Sequence, residues 1–128
     1  MTRQTKILIL GGVFGGFAIV VGAFGAHALK NILHENGRSE TFELAVRYQF
    51  YHALVLLIMG SLYEKLNPGK LWWAAIFITV GIGFFCGSLY VLSFSGNTFW
   101  GAVTPIGGLF LIAGWLTFTL AIKKQIRS

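Results

Sequence analysis

The sequence predicts an all-α, polytopic membrane protein: a bundle of four transmembrane helices with both termini on the cytoplasmic side. Three observations carry this expectation. The chain of 128 residues is 55% hydrophobic and only 11% charged, against roughly 25% charged in an ordinary soluble domain. Its mean hydropathy is +0.73. Its charges are gathered into short segments with long uncharged runs between them.

The first run, from Ile7 to Ala28, holds no charged residue and exceeds the roughly 20 residues needed to cross a bilayer core. Arg3 and Lys6 before it and Ala26-His27-Ala28 at its end have the outline of a secretory signal, but the run is longer than a signal's apolar segment. It is expected to stay as a span, over about 7–29. The second span lies within about 40–66, with Asn36-Gly37 as the turn before it and Ser39 as its cap. Asn67-Pro68-Gly69 reads as a tight connection. The third span covers about 71–94, with Trp72 and Trp73 suited to a membrane interface, and ends in the polar stretch Ser95-Gly96-Asn97-Thr98. The fourth is expected over 105–122, capped by Thr104 with Pro105 in its first turn. The whole chain, 1–128, is one domain.

Four crossings put both termini on one side. Arg3, Lys6, Lys65, Lys70, Lys123, Lys124 and Arg127 lie on that side, and Lys30, Arg38 and Arg47 on the other, which accounts for the ten basic residues of the chain. The excess of Lys and Arg marks the cytoplasmic face. The formal charge of +6 is therefore read as lipid contact and orientation, not as nucleic-acid binding.

Without a hydrophobic driving force between them, helices in lipid associate by close packing, and small residues let their backbones approach. Gly11, Gly15, Ala18, Gly22 and Gly25 form one such stripe on the first span, with Gly12 and Gly16 beside it. Gly83 and Gly87 repeat the spacing on the third span, and Gly107 and Gly114 lie two turns apart on the fourth.

The segment ELAVRYQFYH, residues 43–52, brings costly side chains to the membrane. At 100° per residue, Glu43, Arg47, Tyr48, Tyr51 and His52 fall on one half of the helix and Phe42, Val46, Phe50, Ala53 and Leu57 on the other, so the polar half is expected to face the bundle. Glu43 and Arg47 have the spacing and order of a helical ion pair, which lowers the cost of placing both. Together with His27, Lys30 and Thr104 these polar residues collect at the non-cytoplasmic end. The candidate ligand-binding set is His27, Lys30, Glu43, Arg47, Tyr48, Tyr51, His52 and Thr104.

Catalytic signatures are lacking. The chain has no aspartate, no HExxH, no GxSxG and no phosphate-binding glycine loop ending in lysine. Its lone cysteine, Cys86, excludes an intramolecular disulfide and is expected to be a small buried hydrophobe. No cofactor is assigned.

The segments GAFGAHALK (22–30), YQFYHALVLL (48–57), GSLYVL (87–92) and TPIGG (104–108) together closely resemble the YgdD-like family of small bacterial inner-membrane proteins, domain-of-unknown-function family 423, which is related to a eukaryotic transmembrane protein family. The resemblance spans nearly the whole chain. It implies a four-helix, multi-pass protein of the bacterial inner membrane and carries no catalytic assignment.

The expected function is that of an integral membrane protein whose outer-leaflet polar pocket binds a lipid, a quinone or a partner helix. Arginine there would offer a planar fork to a phosphate. Expected partners are membrane lipids, a second copy or another membrane protein, with no nucleic acid. One alternative is a haem- or metal-binding redox protein using His27 and His52. Another is a small dimeric transporter, although the carboxylates Glu43 and Glu64 lie at the edges of their span rather than inside it.

Overall fold

The computed structural model describes residues 1–126, with side chains through residue 122. Lys123, Lys124 and Arg127, which enter the charge bias, lie outside the described side chains. Five helices follow one another: α1 (Arg3–His27), α2 (Lys30–Glu35), α3 (Ser39–Ser61), α4 (Pro68–Ser95) and α5 (Phe99–Ile126). α1, α3, α4 and α5 are each long and apolar enough to cross a membrane. The all-α, four-span architecture expected from composition is the one observed.

The boundaries follow local chemistry. α1 starts where Thr2 Oγ1 accepts the Thr5 N–H at 3.1 Å. The Asn36-Gly37 turn is present, with Gly37 at φ 65°, a conformation that costs glycine no Cβ clash. Ser39 does not cap α3. It is the first helical residue, and the cap position belongs to Arg38, whose side chain makes no capping bond. α3 stops at Ser61, short of the expected 66, and residues 62–67 form the turn. Asn67-Pro68 starts a helix instead of lying in the connection: Asn67 Oδ1 accepts the Lys70 N–H at 3.1 Å, and proline occupies the first turn, where its missing N–H is harmless. α4 ends at Gly96, in the left-handed region at φ 69°.

The start of α5 differs most from expectation. The helix begins at Phe99, with Pro105 inside it, and Thr104 caps nothing. Asn97 Oδ1 accepts the Phe99 N–H at 3.0 Å, and the Trp100 and Gly101 amides bond the carbonyls of Asn97 and Thr98. The first-turn donors are thus satisfied by Asn97-Thr98, and a proline seven positions into the helix costs one interior hydrogen bond. The short α2 was not foreseen. It lays Leu33 into the bundle, 4% exposed, and leaves Lys30, His34 and Glu35 outside.

The helices pack mainly in sequence, α1 on α3, α3 on α4 and α4 on α5, with a minor contact of α1 on α4 and no substantial interface of α1 with α5 among the described residues. The small-residue stripe of α1 makes the first contact: Gly11 and Gly15 lie against Ala53 and Leu57, Gly22 against Val46, and Gly25 against the Phe42 ring. In the third contact Gly107 lies against the Phe85 backbone, Gly114 against Ile78 and Gly81 against Leu111. Gly12, Gly16, Gly83 and Gly87 have no neighbour among the described residues where a Cβ would stand, so these two GxxxG pairs do not serve close helix approach there. α3 and α4 form the centre, and Leu56, Met59, Leu71, Ile78 and Cys86 are all at most 1% exposed.

The ends of the array are tied differently. At the end holding the N-terminus, Gln4 donates to the Gly60 carbonyl at 2.9 Å, Arg3 stands 5.0 Å over the Trp72 ring, and the Asn67 N–H bonds the Ala121 carbonyl. At the other end the Asn36 amide donates to the carbonyls of Ser93 and Phe94 at 3.0 and 3.1 Å. This holds the α2–α3 turn onto the last turn of α4, whose carbonyls lack intrahelical partners.

Candidate functional site

The polar residues divide into an internal network and a groove. The network lies between the helices. Gln49 donates to the Phe14 carbonyl of α1 at 2.9 Å and accepts from the Tyr90 hydroxyl of α4 at 2.7 Å. His52 Nδ1 lies 2.7 Å from the Tyr48 carbonyl, and its Nε2 accepts the indole N–H of Trp115 at 3.1 Å. Nε2 as acceptor makes Nδ1 the protonated nitrogen and the imidazole neutral. Tyr48 stacks on Phe85, ring centroids 4.9 Å apart. Thr104 shares a 2.7 Å hydrogen bond with Ser88, fixing α5 against α4. Gln49, Tyr90, Trp115, Ser88 and Thr104 are bonded across to another helix, and His52 bonds both its own helix and α5, as low-dielectric burial demands.

The groove runs along the seam of α1 and α3. Its upper part, about 450 Å³, is closed above by α2 and lined by Gly22, Gly25, Lys30, Ser39, Glu43 and Arg47, among others. Its lower part, about 270 Å³, shares Gly22, Val46 and Arg47 and adds Ala18, Ile19, Phe50 and Tyr51. Gly22 and Gly25 form part of its α1 wall, where Val46 and the Phe42 ring pack against them. Ligand sites of such size are common. From Ser39 to Tyr51 the groove covers about 18 Å of helix axis, close to half of a roughly 30 Å hydrocarbon core plus a head group. A smaller cavity of about 130 Å³ between α1 and α4, lined by Ile7, Leu10, Trp72 and Thr79 among others, has no charged lining residue.

The candidate residues separate accordingly. Lys30, Glu43, Arg47 and Tyr51 line the groove. Tyr48 and His52 belong to the internal network, Thr104 to the α4–α5 seam, and His27 is exposed at the end of α1. The expectation that the whole polar half of the second span faces the bundle is corrected. The buried positions of α3 are Phe42, Ala45, Gln49, His52, Ala53, Val55, Leu56, Met59 and Gly60, and Glu43, Arg47 and Tyr51 are exposed. The buried stripe is rotated by roughly 130° from the expected one, because packing against two helices, not polarity, decides which face turns inward. Nor do Glu43 and Arg47 form an ion pair among the described residues; both line the groove instead.

His27 and His52 are not brought together. Gly25 meets Phe42, which sets His27 near the start of α3, while His52 lies about 15 Å farther down the axis and holds Trp115. No cluster of three or more His, Cys, Asp or Glu suited to a metal occurs among the described residues. Three participants went unnoticed in the sequence. Gln49 sits among more conspicuous neighbours, Trp115 carries no local signal in the sequence, and Asn36 reads only as a turn residue.

The family model described as a protein of unknown function (DUF423) matches residues 21–108, which takes in the upper part of the groove, the α3 and α4 members of the network and the α4–α5 seam as far as Gly108, but not Phe14, Ala18, Ile19 or Trp115. A UPF0382 membrane protein of Staphylococcus haemolyticus is 40% identical over 121 residues, covering 93% of this chain and 96% of the relative. The UPF0382 membrane protein YwdK of Bacillus subtilis is 35% identical over 120 residues, covering 93% of this chain and 97% of the relative. The UPF0382 inner membrane protein YgdD of Escherichia coli K12 is 33% identical over 124 residues, covering 93% of this chain and 92% of the relative. No solved structure matches the chain. With its four membrane-capable helices and these relatives, this chain is a multi-pass protein of the inner membrane, and it belongs to the DUF423 family.

Proposed function

We propose that the chain is a lipid-binding membrane protein, holding the phosphate of one anionic lipid at Arg47, with Lys30 at the rim above it, and its acyl chain in the α1–α3 groove. The observation that carries this reading is the continuity of the two parts. The lower part is apolar apart from Arg47 and Tyr51 and opens to the bilayer at Ile19 and Tyr51, which are 63% and 51% exposed. The upper part adds two cations. In a helix the Cα–Cβ bond tilts toward the N-terminus, and the N-terminus of α3 is the polar end, so the Arg47 side chain snorkels upward to the level of a head group. The guanidinium suits a phosphate bidentately. An excess of Lys and Arg on the other face supports a non-cytoplasmic position for this end, and the proposed lipid is then one of the outer leaflet.

Native mass spectrometry of the protein extracted from membranes tests the proposal. One anionic phospholipid per chain should survive delipidation, and Lys30→Gln/Arg47→Gln should lose it while Lys70→Gln keeps it. Equal lipid retention by all three proteins contradicts the reading.

A further inference from the structure

The groove carries an acidic residue that binding of a phosphate does not require. Glu43 lines the upper part with Lys30 and Arg47, is exposed, and forms no ion pair with Arg47 among the described residues. It stands one turn closer than Arg47 to the N-terminus of α3, about 6 Å along the axis. From the bilayer outward the groove therefore presents an apolar wall, then the guanidinium, then a carboxylate, with the Ser39 hydroxyl and Lys30 at the rim. A glycerophospholipid has the same order: acyl chain, phosphate, and then the alcohol esterified to the phosphate.

Building on the lipid reading above, we infer that Glu43 makes the groove selective for a monoanionic phosphodiester whose head alcohol carries hydrogen-bond donors, the phosphatidylglycerol class. Two cations and one carboxylate leave the site at +1, which a phosphodiester balances. A carboxylate is acceptor-only, so it needs donors at the level of the head alcohol, and the glycerol hydroxyls supply them. A phosphatidic acid presents a monoester of about −1.5 to −2 charge, which places excess negative charge beside Glu43 and offers it no alcohol. A choline head has no N–H or O–H to donate. An ethanolamine head donates but leaves the site's positive charge unbalanced.

The test is competition in mixed bicelles of phosphatidylglycerol, phosphatidylethanolamine, phosphatidylcholine and phosphatidic acid with identical chains, read by native mass spectrometry of the full chain. The wild type should retain phosphatidylglycerol over phosphatidic acid by about tenfold, the discrimination that one charge-assisted hydrogen bond supplies. Glu43→Gln should bring that ratio to within about twofold while still holding anionic lipid, and Glu43→Asp should restore part of it. A wild-type preference for phosphatidic acid or choline lipid, or an unchanged ratio in Glu43→Gln, overturns the inference. Those outcomes leave the groove reading intact so long as Arg47→Gln releases the lipid. If Arg47→Gln changes nothing and no lipid is retained by any variant, the groove reading itself fails and this inference falls with it.

Discussion

Tyr90 on α4 donates a 2.7 Å hydrogen bond to Gln49 on α3, and the same glutamine donates to the Phe14 carbonyl on α1. One side chain, 3% exposed, thus joins three spans. In lipid the alternative for these groups is to remain unsatisfied, although measured hydrogen bonds between membrane helices are modest, about 0.6 kcal/mol on average and up to roughly 1.7.

Tyr90→Phe and Gln49→Leu should therefore couple. A double-mutant cycle on reversible unfolding in bicelles should give an interaction of about 0.6–1.7 kcal/mol. Gln49→Leu should cost more than Tyr90→Phe, because it also strands the bond to Phe14. Strict additivity would show that the hydroxyl and the amide do not meet.

Neighbouring glycines on α5 should behave oppositely. A Cβ at Gly107 would collide with the Phe85 backbone, whereas one at Gly108 meets the Phe85 ring at an ordinary 3.8 Å. Gly107→Ala should destabilise by about 1–3 kcal/mol, the usual cost of overpacking, and Gly108→Ala should be close to neutral. Thermal unfolding of the two variants in one detergent decides it, and equal stability would mean that α4 and α5 are farther apart than described.

Asn36 should govern the order of the segment above the groove. Asn36→Ala removes both bonds to the end of α4, so the amides of α2 should exchange hydrogen faster, with little change in α3 below Phe42. Exchange in α2 at the wild-type rate would place its anchoring elsewhere, on Leu33 alone.

The spans were legible because their physics is local: run length, the Asn36-Gly37 turn and the alternation of charged and uncharged segments are written directly in the chain. The packing stripe of α1 was legible for the same reason, since one periodic row of small residues met one neighbour. The inner face of α3 was not. It contacts α1 and α4 together: His52 turns inward as its place on the polar half leads one to expect, whereas Gln49 does so because Phe14 and Tyr90 stand where it can be bonded, which no property of residues 43–52 reveals. The start of α5 was misread because Thr104-Pro105 is a sound helix-start signal that Asn97-Thr98 pre-empts two turns earlier. Of the candidate site, Lys30, Glu43, Arg47 and Tyr51 share the groove. A helix-to-helix hydrogen bond describes His52 and Thr104 better, and a ring stack on Phe85 describes Tyr48.

The polar end of the array should face one compartment. With single cysteines in place of Lys30, Asn97 and Lys70, and Cys86 replaced by alanine, an impermeant thiol reagent applied from the non-cytoplasmic side should label the first two and spare the third. Labelling of Lys30→Cys and Asn97→Cys from opposite sides would break the four-crossing arrangement.

The most direct test of the lipid groove is photocrosslinking in the native membrane. A benzoylphenylalanine in place of Ile19, inside the groove, should trap one anionic phospholipid species far above its share of the bilayer, whereas the same residue in place of Ile112, 58% exposed on the far helix, should sample bulk lipid. Identical lipid adducts at both positions, or a protein adduct at Ile19, would show that the seam between α1 and α3 holds no resident lipid.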